Sequence, residues 1–312
     1  MILRHQLEDM SIIKKKLEDK KVKTLTTLIN KYKDSLAYEN LSDVSRRDYL
    51  YFINVCQTTM DFNTKLSKID TPMAQRNYNT WAKDKGVPTA NHVKAVMSRI
   101  FNFGREIGEC KHNPFTVVKK IPHRSRKEVW TKEQVKSFIQ TAYSQFNWRS
   151  IGVIVHAAYT WGQRLTDMRN LTFDQYDFDK RVLTLEQSKR RARVYLPTTE
   201  ELHKVLEKQY EDMKFQKYVA PRIAYEKIIP EPYSKAGLNN IARKIREAAG
   251  LPRTLWIMDM RRTATTEMVD AGVPLPQIMS VTGHANAQSL APYMKHTLLS
   301  ATEALSKRGE GL

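Results

Sequence analysis

Residues 119 to 128, Lys-Lys-Ile-Pro-His-Arg-Ser-Arg-Lys-Glu, hold five basic side chains and one acid with almost no apolar content. So polar a stretch offers little apolar surface to offset the entropy of ordering it, and it reads as an exposed linker. The residues on either side must then bury their apolar side chains in separate cores. The chain has 312 residues, and domains commonly run to about 100 to 200. Two domains are therefore expected, 24–118 before the linker 119–128 and 129–312 after it.

Charge narrows the partner. Lys and Arg number 52 against 33 Asp and Glu, a formal charge of +19, which favours a long polyanion. Nucleic acid is the first expectation and an anionic membrane surface the second. Two cysteines, Cys56 and Cys110, are too few for a disulfide framework or a four-thiolate zinc site, and they fit a reducing cytoplasm. No apolar run approaches the roughly 18 residues of a membrane span. The charged start, with Arg4 and Lys14-Lys15-Lys16, lacks the hydrophobic region of a signal peptide. A cytoplasmic protein with no membrane role is expected. Residues 1–23 place Leu3, Leu7, Met10, Ile13 and Leu17 at spacings of three and four, an amphipathic helix. It would either dock on the main body or contact DNA or a neighbouring subunit.

The fold class follows from periodicity. From 24 to 118 the pattern is helical near 24–38, 43–59, 69–85 and 90–108, with Pro72, Gly86, Pro88, Gly108 and Asn113-Pro114 at the seams. In the last of these helices Val93, Val96, Met97, Ile100 and Phe101 form the apolar stripe. Lys94, Arg99 and Arg105 remain for another surface, either solvated or facing phosphates. Lys119, Lys120, Arg124, Arg126 and Lys127 of the linker stand between the same two readings, a solvated segment or a strap along a phosphate backbone. The second domain opens on Thr131 and Gln134 at capping-box spacing and is mainly helical. Residues 181–197 are β-prone around a polar Gln187-Ser188-Lys189-Arg190-Arg191-Ala192, predicting a small hairpin with a basic tip. The class is mainly α, with a mixed α/β second domain.

Several chemistries find no support. There is no Gly-Lys-Ser/Thr phosphate loop, no Gly-x-Gly-x-x-Gly run and no His-Glu-x-x-His pair. Asp174, Asp177 and Asp179 read as turn residues and not as a magnesium site, so no metal or cofactor is expected. Phosphodiester transfer without metal needs fixed cations on the non-bridging oxygens, a nucleophile and an acid for the leaving oxygen. Arginine suits the first task, because its planar fork gives a phosphate two hydrogen bonds and keeps its charge. Candidates are Arg164, in Thr-Trp-Gly-Gln-Arg-Leu-Thr-Asp, and Arg261, in Met-Asp-Met-Arg-Arg-Thr.

Order and spacing then add Lys189 on the hairpin, eight residues before Pro197, Thr-Gly-His284, and Tyr293 nine residues after that histidine. This set resembles the tyrosine recombinase family, the phage integrases in particular, over about 24–312. The resemblance matches Arg164 and Asp167 to the first arginine box, Lys189 to the hairpin lysine, Arg261 to a His-x-x-Arg box, His284 to a Leu-Gly-His box and Tyr293 to the nucleophile. It implies a helical core-binding domain of SAM-like type, a basic linker and a catalytic domain. It also implies a 3′-phosphotyrosyl intermediate formed without ATP, metal or cofactor. Double-stranded DNA attachment sites, a homotetramer on paired sites, and a host DNA-bending factor or excisionase are the implied partners. The residues after Tyr293, with Leu298, Leu299 and Leu305, would pass to a neighbouring subunit or pack on their own.

One position departs. Met258 stands where the family usually has histidine, and methionine neither shuttles a proton nor donates a hydrogen bond. It reads either as a core methionine in an active enzyme or as the mark of a weakened or DNA-binding-only relative. A further expectation concerns geometry. Nine residues at about 100° each turn a helix through roughly half a turn, so a break must separate His284 from Tyr293 if both face one phosphate. Gly283 and Pro292 supply breaking chemistry. Integration of a phage or mobile element is the first functional expectation, and chromosome-dimer resolution is the enzymatic alternative.

Overall fold

The computed structural model describes residues 23–123, 126–189, 191–294, 305, 306, 308 and 309. The helix expected over 1–23 lies, apart from Lys23, outside the described residues, as do Arg124, Leu298 and Leu299. Internal contacts divide the chain into two units, Met1–Ser125 and Arg126–Leu312.

The first unit is helical: α1 (Leu25–Lys33), α2 (Leu36–Glu39), α3 (Asp43–Gln57), α4 (Thr71–Lys85) and α5 (Val87–Glu106). Side-chain caps fix the starts, since Thr24, Ser42 and Asp70 accept from the backbone N–H groups of Thr27, Ser45 and Met73 and satisfy donors that a first turn leaves open. The helix expected over 24–38 is split in two. The Ser35 hydroxyl donates to the Tyr32 carbonyl at 2.6 Å, ending α1 and starting α2. In α5 the anticipated stripe of Val93, Val96, Met97, Ile100 and Phe101 is buried. Gly104 of the same helix lets α1 approach, because a Cβ there would stand 2.8 Å from Leu28 Cδ1. The first residues of the expected linker are tied to this unit: Lys119 N–H donates to Gln75 Oε1 at 2.9 Å and Ile121 N–H to Tyr78 Oη at 2.7 Å.

The second unit begins at buried Trp130 and the capping box of Thr131 and Gln134. It continues through α6 (Lys132–Tyr143), α7 (Phe146–Thr160) and α8 (Leu165–Arg169). Helix α7 is buried on every side from Ser150 to Ala158, which makes it the axis of this core. Strands β1 (Tyr176–Asp177), β2 (Val182–Glu186) and β3 (Arg193–Pro197) form an antiparallel sheet. Its register pairs Leu183 with Leu196 and Leu185 with Val194, so alternation sends all four to the core. The hairpin was legible in the sequence, whereas the edge strand β1 was not. Asp177 Oδ1 accepts from Lys180 N–H at 2.9 Å, which is turn chemistry, and the described residues contain no cluster suited to a metal ion.

Then follow α9 (Glu200–Met213), the hairpin β4 (Arg222–Ala224) and β5 (Lys227–Ile229), α10 (Lys235–Ala248), α11 (Met260–Asp270) and α12 (Leu275–Thr282). The second hairpin was not anticipated. It turns on Tyr225 and Glu226 at φ 51° and 60°, without the Asn-Gly or Asp-Gly pair that usually announces such a turn.

Candidate active site

Arg164 is delivered by a sharp change of direction. Helix α7 stops at Thr160, Gly162 takes φ +60°, and Arg164 becomes the N-terminal cap of α8. Its Nη1 donates to Gln187 Oε1 at 2.8 Å and lies 3.9 Å from Asp167 Oδ2. Gln187 immediately follows β2, and the pair ties the hairpin to the first arginine. Asp167 also reaches the hairpin, accepting Ser188 N–H on Oδ1 at 3.1 Å. Lys189 stands next to these anchored residues, exposed at the turn.

Arg261 lies in the first turn of α11 and is only 8% exposed. Its Nη1 donates to the Gly162 carbonyl at 3.2 Å and its Nη2 to His284 Nε2 at 3.4 Å. Those bonds connect the second arginine to the turn that carries the first and to the histidine. Together with Arg164, Met258, Lys235 and Asn239, Arg261 lines an open cavity of about 300 Å³.

The tautomer of His284 follows from its neighbour. The Thr282 hydroxyl has one hydrogen, and it donates to the Ile278 carbonyl at 2.7 Å. The 2.6 Å contact between Thr282 Oγ1 and His284 Nδ1 therefore takes its proton from the ring. A neutral imidazole then carries its lone pair on Nε2, where Arg261 donates. The family resemblance implies that His284 donates to the phosphate and helps position or deprotonate the tyrosine. In this arrangement the outward nitrogen is an acceptor.

Tyr293 is brought back by the expected break. Helix α12 ends at Thr282 and Gly283 adopts the left-handed conformation at φ +65°. A 3₁₀ segment, Ala287–Tyr293, is held at its start by Asn286 accepting from Ser289 N–H. Pro292 sits within that segment and does not end it. The His284 and Tyr293 rings lie 6.0 Å apart, and the Arg262 guanidinium stands 5.3 Å from the Tyr293 ring centroid, a cation–π contact.

Two expectations are corrected. Met258 is no core methionine. It lies in the 3₁₀ turn Ile257–Asp259 ahead of α11 and is 60% exposed on the rim of the cavity. Arg126 does not stand ready for a phosphate. Its Nη2 donates to buried Asp259 Oδ2 at 2.9 Å and its guanidinium stacks 4.8 Å from the Trp256 centroid, anchoring the start of this unit beside the second arginine box.

The remaining basic candidates do not form one stripe. On α5, Lys94 and Arg105 are eleven positions apart and share a face, whereas Arg99 lies about 140° round the helix. Arg99 lines a separate hollow with Asp48, Tyr49 and His92. Burial, with the Lys120 ammonium nearby, holds the Lys94 pKa below its usual value. Lys94 and Lys120 thus form a like-charged pair that an anion would relieve. Lys119, Arg105 and Lys127 are exposed. Sequence reasoning missed Gln163, Gln187 and Thr282, because a neutral amide or hydroxyl in a loop carries no periodic signal.

Comparison with known proteins bears on the family and the fold. The chain is 24% identical over 233 residues to the tyrosine recombinase XerA of Pyrococcus furiosus, covering 72% of this chain and 76% of that one. It is 20% identical over 186 residues to the tyrosine recombinase XerC of Corynebacterium glutamicum, and the match spans 59% of that relative's length. Among solved structures, the lambda integrase tetramer bound to a Holliday junction superposes with a TM-score of 0.75 at 16% identity, covering 88% of this chain and 78% of that one. That likeness establishes the fold. The model of the phage integrase family matches residues 128–298, more than half of the chain and nearly the whole second unit, so this protein belongs to the phage integrase family.

Proposed function

We propose that the chain is a site-specific DNA recombinase that cuts and rejoins duplex DNA through a 3′-phosphotyrosyl intermediate. The observation that carries this reading is the convergence of Arg164, Arg261, His284 and Tyr293, from four separate sequence boxes, on one part of the second unit. The two arginines hold the non-bridging oxygens of the scissile phosphate. As the Arg261 Nη2 turns from His284 Nε2 to the phosphate, the lone pair on that nitrogen is released, and Tyr293 Oη attacks phosphorus while its proton passes there. The bond to the 5′ oxygen breaks, and Lys189 supplies the proton that leaves a 5′-hydroxyl. The phosphodiester energy is kept in the tyrosyl ester, so neither ATP nor metal is required. Lys94, Arg105, Lys119, Lys120 and Lys127 supply phosphate contacts along the duplex, in keeping with the charge of +19.

Integration of a phage or mobile element is the role we assign, with a homotetramer on paired sites as the working assembly. The lambda integrase tetramer on a Holliday junction supports that assembly, and the XerA and XerC likeness keeps chromosome-dimer resolution as the alternative. The test is a nicked suicide substrate made from DNA flanking the gene, followed by mass spectrometry of the tryptic digest. The expected product is a nucleotide attached to the peptide that begins at Thr263 and contains Tyr293. A DNA-bound chain that forms no adduct, or an adduct on another residue, would overturn the assignment.

Met258 supplies a second prediction. Its side chain faces the cavity shared by Arg164 and Arg261, where an imidazole would add a donor at the phosphate. General acid–base groups contribute roughly 10² to 10⁴ in rate. Met258→His is expected to raise single-turnover cleavage, by up to about 10². A large fall in a folded variant would show that this position does not face the reacting phosphate.

A further inference from the structure

We infer that Gln187 is a positioning residue of this site, a side chain that sets the first arginine, the hairpin that carries the lysine and the histidine turn relative to one another. The inference rests on the recombinase reading above and concerns a residue to which that reading gives no role.

Gln187 is fully buried, and each polar atom of its amide has a directed partner. Oε1 accepts from Arg164 Nη1 at 2.8 Å, while Nε2 donates to Gln163 Oε1 at 2.6 Å and to the Thr282 carbonyl at 2.8 Å. The orientation is unambiguous. A guanidinium only donates and a backbone carbonyl only accepts, so a flipped amide would break both bonds. Gln163 extends the support, its own Nε2 donating at 2.7 Å to the carbonyls of Trp161 and Val281. The two amides thus join the end of α7, the end of α12 and the hairpin in one satisfied buried network, the kind that fixes a unique geometry.

The contact at the histidine turn is equally tight. A Cβ on Gly283 would lie 2.7 Å from Gln187 Nε2, so the residue beside His284 is glycine for two reasons, its left-handed backbone and the packing of this amide against it. On the other side, the backbone at Gln187 closes the hairpin tip, its N–H donating to the Ala192 carbonyl and its carbonyl accepting from Arg191 N–H, both at 2.9 Å. Lys189 is two residues on. Displacing the amide releases Arg164 from a neutral acceptor and leaves the carboxylate of Asp167, 3.9 Å away, as its ion-pair partner. The tip that carries Lys189 keeps its backbone bonds and the Ser188 N–H bond to Asp167, but loses its side-chain tie to the histidine turn.

The role separates from mere stability by substrate chemistry. Gln187→Met keeps the volume and removes all three side-chain hydrogen bonds, and Gln187→Glu keeps the acceptor for Arg164 while losing the donor. Single-turnover cleavage, DNA affinity and Tm are measured for both and for the unaltered chain. Three substrates are used: the ordinary phosphodiester, a methylphosphonate that removes one non-bridging charge, and a 5′-bridging phosphorothiolate whose sulfur leaves without an acid.

Cleavage of the phosphodiester by Gln187→Met is expected to fall about 10² to 10³, as for loss of a preorganised donor, with DNA affinity within about threefold. The deficit should shrink at least tenfold on the methylphosphonate, where Arg164 has less charge to neutralise, and less on the phosphorothiolate, which reports on Lys189. Gln187→Glu should lie between the two proteins. Equal deficits on all three substrates, tracking Tm, overturn the proposal by making Gln187 structural only. Full activity of Gln187→Met also overturns it, and leaves the recombinase reading intact. An unaltered chain that binds DNA and cleaves none of the substrates removes that reading, and this inference with it.

Discussion

Replacing Tyr293 by phenylalanine is expected to abolish covalent attachment to DNA completely while leaving DNA affinity within about twofold. The substitution deletes one oxygen. It keeps the ring that packs 6.0 Å from His284 and 5.3 Å from the Arg262 guanidinium, so the local 3₁₀ segment and the cation–π contact persist. Aromatic packing of this kind is worth about 0.5 to 1.5 kcal/mol, and none of it is lost. What disappears is the oxygen to which the proposed mechanism gives the ester. Suicide-substrate trapping reads the first quantity and a mobility-shift titration the second. An adduct surviving in the phenylalanine variant would remove Tyr293 as nucleophile, and a collapse of affinity would make it a DNA-contact residue.

Arg261→Lys is expected to cost about 10² to 10³ in single-turnover cleavage, even though it conserves the charge. The guanidinium is planar and forked. One nitrogen reaches the Gly162 carbonyl at 3.2 Å and the other His284 Nε2 at 3.4 Å. A lysine ammonium is a point charge on a flexible stem, and a buried one is more strongly desolvated than an arginine. It would satisfy one of these partners and leave the other without its donor. Cleavage, DNA affinity and Tm measured together separate the outcomes. A rate within threefold of the unaltered chain would mean that charge alone suffices and the fork geometry is irrelevant.

The parts of this molecule that were legible in the sequence are those written in local patterns. The apolar stripe from Val93 to Phe101 specifies a buried helix face, and the alternation around Leu183, Leu185, Val194 and Leu196 specifies a hairpin. Likewise the half-turn mismatch between His284 and Tyr293 demands the break that Gly283 makes at φ +65°. Where the expectation failed, the cause was tertiary. Arg126 looked like one more charge on an exposed linker, and only the fold sets buried Asp259 and Trp256 against it. Lys94, Arg99 and Arg105 looked equivalent by composition, yet helical phase separates Arg99 from the other two. The amide network is the clearest case. Gln163 and Gln187 are 24 residues apart, each in an unremarkable polar stretch, and their relation exists only once α7, α12 and the hairpin have packed.

That network has a consequence for acidity. Neither Gln163 nor Gln187 titrates in water, and their carbonyl partners at Trp161, Val281 and Thr282 do not either. The amide support beneath Arg164 therefore holds the same shape from mildly acidic to alkaline solution, in contrast to a carboxylate or imidazole in the same place, which would gain or lose a charge on the way. Any pH dependence of chemistry at this site then passes around these two amides and arises in the groups that do ionise.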